Sequence, residues 1–176
     1  MNRLEYTLSK RQMYPQKWEI LTWPPFWVLL PNQCEIHSNV FFSQHGFGFE
    51  WNGEQWLRIP HTGNVIIENN VEIYSGTNIV RPTEKDSRIG EGTKIDALCH
   101  IAHNVNIGKH CLIIAGSKIG GSVTIGDNCY LGIGCMIKNK VTIGNNVTIG
   151  MGAVITKDVP DNVIIYNKTK WITKQK

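Results

Sequence analysis

A chain of 176 residues is long enough for one domain with a sizeable core, and its formal charge of +4 is too small to argue for a nucleic-acid partner. Part of that charge is local, because Lys168, Lys170, Lys174 and Lys176 stand in the last residues, which read as a solvated basic tail over 166–176. The longest apolar run, Trp23 to Leu30, is too short to span a bilayer, and no stretch has the build of a signal peptide, so a cytoplasmic setting is expected.

Residues 1–27 follow no repeat and hold Trp18, Trp23, Phe26 and Trp27 with Pro15, Pro24 and Pro25. They read as a cap on whatever follows, or as an aromatic platform for a nucleotide base. Repeats begin irregularly between Val28 and Phe42, and the domain they open is expected to run over 28–165. HGFGFEWNGEQWLRIPHTG, residues 45–63, then breaks the pattern and is expected to leave the domain as an inserted loop. The repeat resumes at Ile67, Ile73 and Ile79. A second break, VRPTEKDS, puts ten residues rather than six between Ile79 and Ile89.

From Ile89 to Ile155 every sixth residue is Ile or Leu, at twelve successive positions. The residue two before each is small or β-branched, as in Thr93, Cys99, Val105, Cys111, Ser117 and Val123. The residue after is usually small, as in Gly90, Ala102, Gly108 and Gly120. A period of six suits neither a helix face nor a lone strand. It suits an all-β fold, a parallel β-helix whose flat sides are one hexapeptide long, three sides making a coil of 18 residues and twelve making four coils. The Ile residues are expected to stack into ladders beside the smaller residues. The following glycines are expected to relieve the backbone at the corners. Four of the five cysteines, Cys99, Cys111, Cys129 and Cys135, occupy the small inward position, so they read as core thiols in a reducing compartment.

Chemistry must come from residues that face out. His103 lies two places after inward Ile101, which puts it near a corner, and the residue one coil further on is Gly121. A glycine over a histidine is expected to leave space for a reacting acyl group, and the Gly121 N–H could hold an oxyanion. The other reading of His103 is a surface histidine at a turn. His100 would line the same surface. His100 and His103 have no third ligand at metal-binding spacing. There is no GxSxG, P-loop or dinucleotide fingerprint.

GFGFEWNGEQWLRIPHTGNVIIENNVEI, then IVRP, then IDALCHIAHNVNIG resembles the UDP-3-O-acylglucosamine N-acyltransferase family of lipid A synthesis, over roughly Cys34 to Gly150. The resemblance implies a left-handed β-helix, His103 as general base, Gly121 as the oxyanion glycine, and a homotrimer. It also implies a nucleotide-linked amino sugar as acceptor, used for lipopolysaccharide, O-antigen or glycan synthesis. Phe47, Phe49, Trp51, His100, Asn104 and Lys140 are expected to contact that sugar nucleotide, and Gly132 and Lys157 the acyl donor. The family's N-terminal uracil-stacking domain has no counterpart in the first 27 residues, and its second functional histidine falls on Lys140. The ending GAVITKDVPDN is instead similar to coenzyme A-dependent hexapeptide acetyltransferases. The expected donor is therefore acetyl-CoA or another acyl-CoA, with hydroxyacyl carrier protein as the alternative. A catalytically silent trimeric scaffold is the reading from another class; a scaffold would need neither His103 nor the GFGF segment.

Overall fold

The structure, a computed structural model, describes residues 19–23, 26–31, 33–43 and 45–166. Those residues form a left-handed parallel β-helix with three flat faces. Strands two or three residues long repeat once per coil on each face. The first face runs through Val65–Ile67, Ser87–Ile89, Asn106–Ile107, Thr124–Ile125 and Thr142–Ile143. Ile107 pairs with Ile89 below it and Ile125 above it, so the register advances by 18 residues per coil. Across both interruptions the ladder still closes, with Phe42 paired to Ile79 and Ile79 to Ile101 on the third face.

Each of the twelve Ile or Leu residues at the six-residue period from Ile89 to Ile155 is buried, and Cys99, Val105, Cys111, Val123, Cys129 and Cys135 fill the space beside them in one continuous core. Burial raises the thiol pKa of Cys99 and Cys135, which keeps them as inert core groups. Two polar residues at the small position are satisfied: Thr93 Oγ1 donates to the Gly108 carbonyl at 2.8 Å and Ser117 Oγ to the Ile114 carbonyl at 2.6 Å, whereas the buried Ser87 Oγ has no partner among the described residues.

The corner glycines do not work as the sequence suggests. Gly90, Gly108 and Gly126 have ordinary backbone angles; the left-handed residue comes two places later, at Gly92, His110 and Asn128. What excludes a side chain at Gly108 is the next coil, since a Cβ there would stand 2.5 Å from the Gly126 carbonyl carbon. The glycine is required by the close stacking of coils, not by φ.

At the N-terminal end, Glu19–Trp23 runs antiparallel to Phe26–Leu30, which joins the first face beside Val65–Ile67. Glu19–Trp23 is thereby the outermost strand of that face. Trp18, Pro15 and the two prolines at 24 and 25 lie outside the described residues, as do the side chains on which the aromatic-platform reading depends. The basic residues of the tail after Tyr166 also lie outside them. The inserted segment is not an irregular loop. Phe49–Trp51 and Trp56–Arg58 pair as an antiparallel hairpin that stands off the prism. Among the described residues no helix is long and apolar enough to cross a membrane.

The ending GAVITKDVPDN closes the last coil. Ala153 and Ile155 are inward, Val159 bridges to Ile143, and the carboxylates of Asp158 and Asp161 accept from the N–H groups of Thr142 and Asn145 at 2.8 Å each. Its residues are thus used by the fold itself.

Candidate active site

The two interruptions of the period are bonded to each other. Thr62 N–H donates to the Thr83 carbonyl at 2.7 Å. Arg81, buried, donates from Nε to the Gly63 carbonyl and from a terminal nitrogen to the Thr62 carbonyl, both at 2.9 Å. The four extra residues of the second break therefore form the shelf on which the insertion returns to the prism. Asn104 ties that shelf to the regular coils. Its Oδ1 accepts from Thr83 N–H at 2.7 Å, and its Nδ2 donates to Thr83 Oγ1 at 2.9 Å. Asn104 itself is in the left-handed conformation that asparagine tolerates. Its side chain, expected on a sugar nucleotide, is engaged in this tether.

His103 stands one residue before Asn104, at the corner between the third and first faces. It is partly exposed, and its Nδ1 is buried with no hydrogen-bond partner among the described residues. The Nε2–Cε1 edge lies against Gly121, where a Cβ would stand 2.6 Å from both atoms. The room above Gly121 is thus occupied by the His103 ring. It is not an empty space for an acyl group, as the glycine alone suggests. The Gly121 carbonyl accepts from Lys140 N–H at 2.9 Å, while its own N–H has no acceptor among the described residues. A ring nitrogen and an unengaged N–H thus adjoin at one corner. Burial first, and then the nearby charge of His61, hold the His103 pKa below the ordinary histidine value of 6.5. The neutral imidazole that can accept a proton is favoured.

His61 was not singled out from the sequence. It is 2% exposed, it meets the His103 ring edge-on with centroids 5.7 Å apart, and its Nδ1 lies 2.9 Å from the Ile59 carbonyl oxygen. The signal for it was a histidine between Pro60 and Gly63, where the insertion must rejoin the prism.

The other expected residues spread over three places. His100 faces outward on the third face, with Nδ1 3.5 Å from Asn78 Nδ2; burial and then Lys118 lower its pKa. It heads a shallow apolar trough running past Lys118, Gly120, Met136, Lys138 and Val154. Lys140 is exposed, and Lys157 stands exposed at the same corner as His103, three coils on. Gly132 is buried at another corner, under the backbone of Gly150 and Met151. On the hairpin, Phe47 is 93% exposed and meets Phe49 edge-on at 5.1 Å, Trp51 lies 5.5 Å from Trp56, and the Arg58 guanidinium covers Phe49 at 4.8 Å.

A model of the bacterial transferase hexapeptide, six repeats long, matches residues 86–121 and again 122–157. The UDP-3-O-acylglucosamine N-acyltransferase of Methylobacterium nodulans is 48% identical over 88 residues, which is 50% of this chain and 25% of that protein. The enzyme of the same name from Bradyrhizobium diazoefficiens is 47% identical over 89 residues, 50% of this chain and 25% of that protein. The chain thus spans about a quarter of the length of these curated relatives. Among solved structures, a UDP-N-acetylglucosamine acyltransferase superposes with a TM-score of 0.65 at 24% identity, over 74% of this chain and 49% of that one. The UDP-N-acetylglucosamine acyltransferase of Bacteroides fragilis 9343 gives 0.61 at 21% identity, over 78% and 53%. These two likenesses establish the fold.

The relatives overturn acyl-CoA as the expected donor, since acyltransferases of the lipid A type take a hydroxyacyl group from acyl carrier protein. The physical reason is plain. Coenzyme A and a carrier protein present the same phosphopantetheine thioester, and the GAVITKDVPDN ending that suggested coenzyme A is consumed in closing the coil.

Proposed function

We propose that this chain, a left-handed β-helix of hexapeptide repeats related to the UDP-3-O-acylglucosamine N-acyltransferases, moves a hydroxyacyl group from acyl carrier protein onto the amino group of a nucleotide-linked amino sugar in lipopolysaccharide synthesis. The observation that carries this reading is the corner itself: a partly exposed imidazole of lowered pKa lying against a glycine whose N–H is unengaged.

The amine attacks the thioester carbonyl carbon. His103 Nε2 takes the proton that the amine loses, because Nδ1 is buried and cannot be reached by substrate. The carbonyl oxygen gains negative charge and accepts from the Gly121 N–H. The tetrahedral adduct then collapses, the C–S bond breaks, and the thiolate takes the proton back from His103. The pantetheine arm lies along the trough of the third face, where Met136 and Val154 meet its methylenes and Lys118 and Lys138 approach its phosphate. The exposed aromatics Phe47 and Trp51, with Phe49 beneath Arg58, receive the base or sugar ring of the acceptor. His100 and Lys140 flank the acceptor, and Asn104 serves it by fixing the shelf. The working unit is a closed homotrimer, in which the flat faces of three prisms pack and each site borrows groups from a neighbour.

The direct test incubates the purified chain with hydroxyacyl carrier protein and UDP-3-O-acylglucosamine and follows the N-acylated product by mass spectrometry. Product that depends on both substrates is expected. Absence of product with this acceptor and with other nucleotide amino sugars rejects the reading. Sedimentation at micromolar concentration checks the trimer separately.

A further inference from the structure

His61 takes no part in the reaction as drawn, yet it is the most deeply buried histidine beside the site. Its Nδ1 faces the Ile59 carbonyl, which can only accept a hydrogen bond, so the neutral ring carries its hydrogen on Nδ1 and leaves Nε2 bare. That Nε2 is buried with no partner among the described residues. Two glycines admit the ring: a Cβ at Gly46 would stand 2.5 Å from Nε2, and one at Gly48 would stand 3.2 Å from Cε1. Arg58 holds this turn from the other side, donating to the Gly46 carbonyl at 3.3 Å. The motif GFG of the hairpin thus makes the slot in which His61 sits.

The two imidazoles meet edge to face, with an interplanar angle of 84°. Each keeps one ring nitrogen buried and unpartnered, Nε2 of His61 and Nδ1 of His103. Buried polar atoms without partners call for an explanation, and here two of them lie on rings in contact. Other charged groups nearby are engaged or turned outward. Arg81 donates to the carbonyls of Thr62 and Gly63, Asp86 accepts from Asn64, and Glu84, Lys85 and Lys140 are exposed. Among the described residues, His61 is the titratable group whose charge acts on His103.

Resting on the reading of His103 as the base, we propose that His61 is a positioning residue: it braces the His103 ring against Gly121 with Nε2 turned to the substrate. His61 never touches the substrate. Its effect is to fix which His103 nitrogen receives the proton. The insertion is therefore part of the catalytic apparatus through its root, independently of what its aromatic tip binds.

Two measurements on the full chain test this. The first is an NMR titration of the histidine rings without substrate, in the wild type and in His61→Gln, whose amide can still donate to the Ile59 carbonyl. The expected result is a His103 pKa that moves up toward 6.5 in His61→Gln. The second is the pH profile of the acyl transfer. His61→Gln is expected to lower kcat about 10–100-fold through ring misplacement, with KM and melting little changed. Its acidic limb should move to higher pH. An unchanged His103 titration overturns the proposal. Because the titration uses no substrate, its outcome stands even if the acyl-transfer reading fails. If His61→Gln does not fold, the wild-type ring contact decides: absence of a nuclear Overhauser effect between the His61 and His103 rings overturns the proposal.

Discussion

The prism from Ile89 to Ile155 and the paired interruptions at 45–63 and 80–87 obey different rules. In the prism each residue's neighbours are set by a fixed step of 18, so Ile119 lies between Ile101 and Ile137. In the interruptions the partners follow no period: Arg81 reaches Gly63, Thr83 reaches Asn104, and His61 reaches His103. The prism supplies a rigid ladder and identical corners. The interruptions turn one of those corners into a distinct place. His103 occupies an ordinary corner position, and what distinguishes it is the buried imidazole brought against it from outside the period.

The sharpest way to separate the regions is to remove a group that serves chemistry alone. His103→Ala is expected to lower kcat about 10²–10⁴-fold while melting stays near that of the wild type. The pH dependence gives the sign. Neutral His103 is the active form, and burial and His61 both disfavour its cation, so the acidic limb of kcat/KM should centre below 6.5 in the wild type and vanish in His103→Ala. A shared limb and equal limiting rates in both proteins would deny His103 the base role.

The converse substitution strikes the ladder. Ile119→Ala, at a fully buried position, should cost about 2–5 kcal/mol of stability through lost burial and a residual cavity. Denaturant unfolding measures it, and an unchanged midpoint would contradict the stacking.

Gly121→Ala tests the boundary between the two regions. The backbone there is ordinary, and the atoms nearest the added methyl belong to the His103 ring, a side chain that can swing aside. A loss of about 10²-fold in kcat with melting nearly unchanged is expected, the mark of a displaced base. A large drop in melting with normal residual activity would instead make Gly121 a stacking glycine like Gly108.

The smallest stability effect belongs to the hairpin tip. Trp51 is 52% exposed, so Trp51→Ala should alter stability by no more than about 0.5 kcal/mol. A raised KM for the acceptor with unchanged kcat would assign the tip to binding; unchanged kinetics would leave the aromatics without that role.

The sequence by itself determined the architecture. Twelve Ile or Leu residues at one spacing can be buried together only if each hexapeptide is one side of a coil, and the cysteines fall in the small slot for the same reason. The two breaks were legible as breaks, and the corner position of His103 and Gly121 followed from the step of 18. The repeat could not say which way the space between them is filled. A glycine opposite a histidine has the same spelling whether it makes room for a ligand or for the imidazole, and only the rotamer of His103 decides. Nor could it show that the GFGF segment forms a hairpin whose glycines seat His61, or that the two breaks bind each other through Arg81. The Arg81–Gly63 and His61–His103 contacts join residues 18 and 42 apart, in each case through a residue outside the period, so local propensity carries no trace of them. Periodic packing repeats its instruction in every coil and is readable from any of them. The site is specified once, by nonlocal contacts, and exists only when the chain has folded.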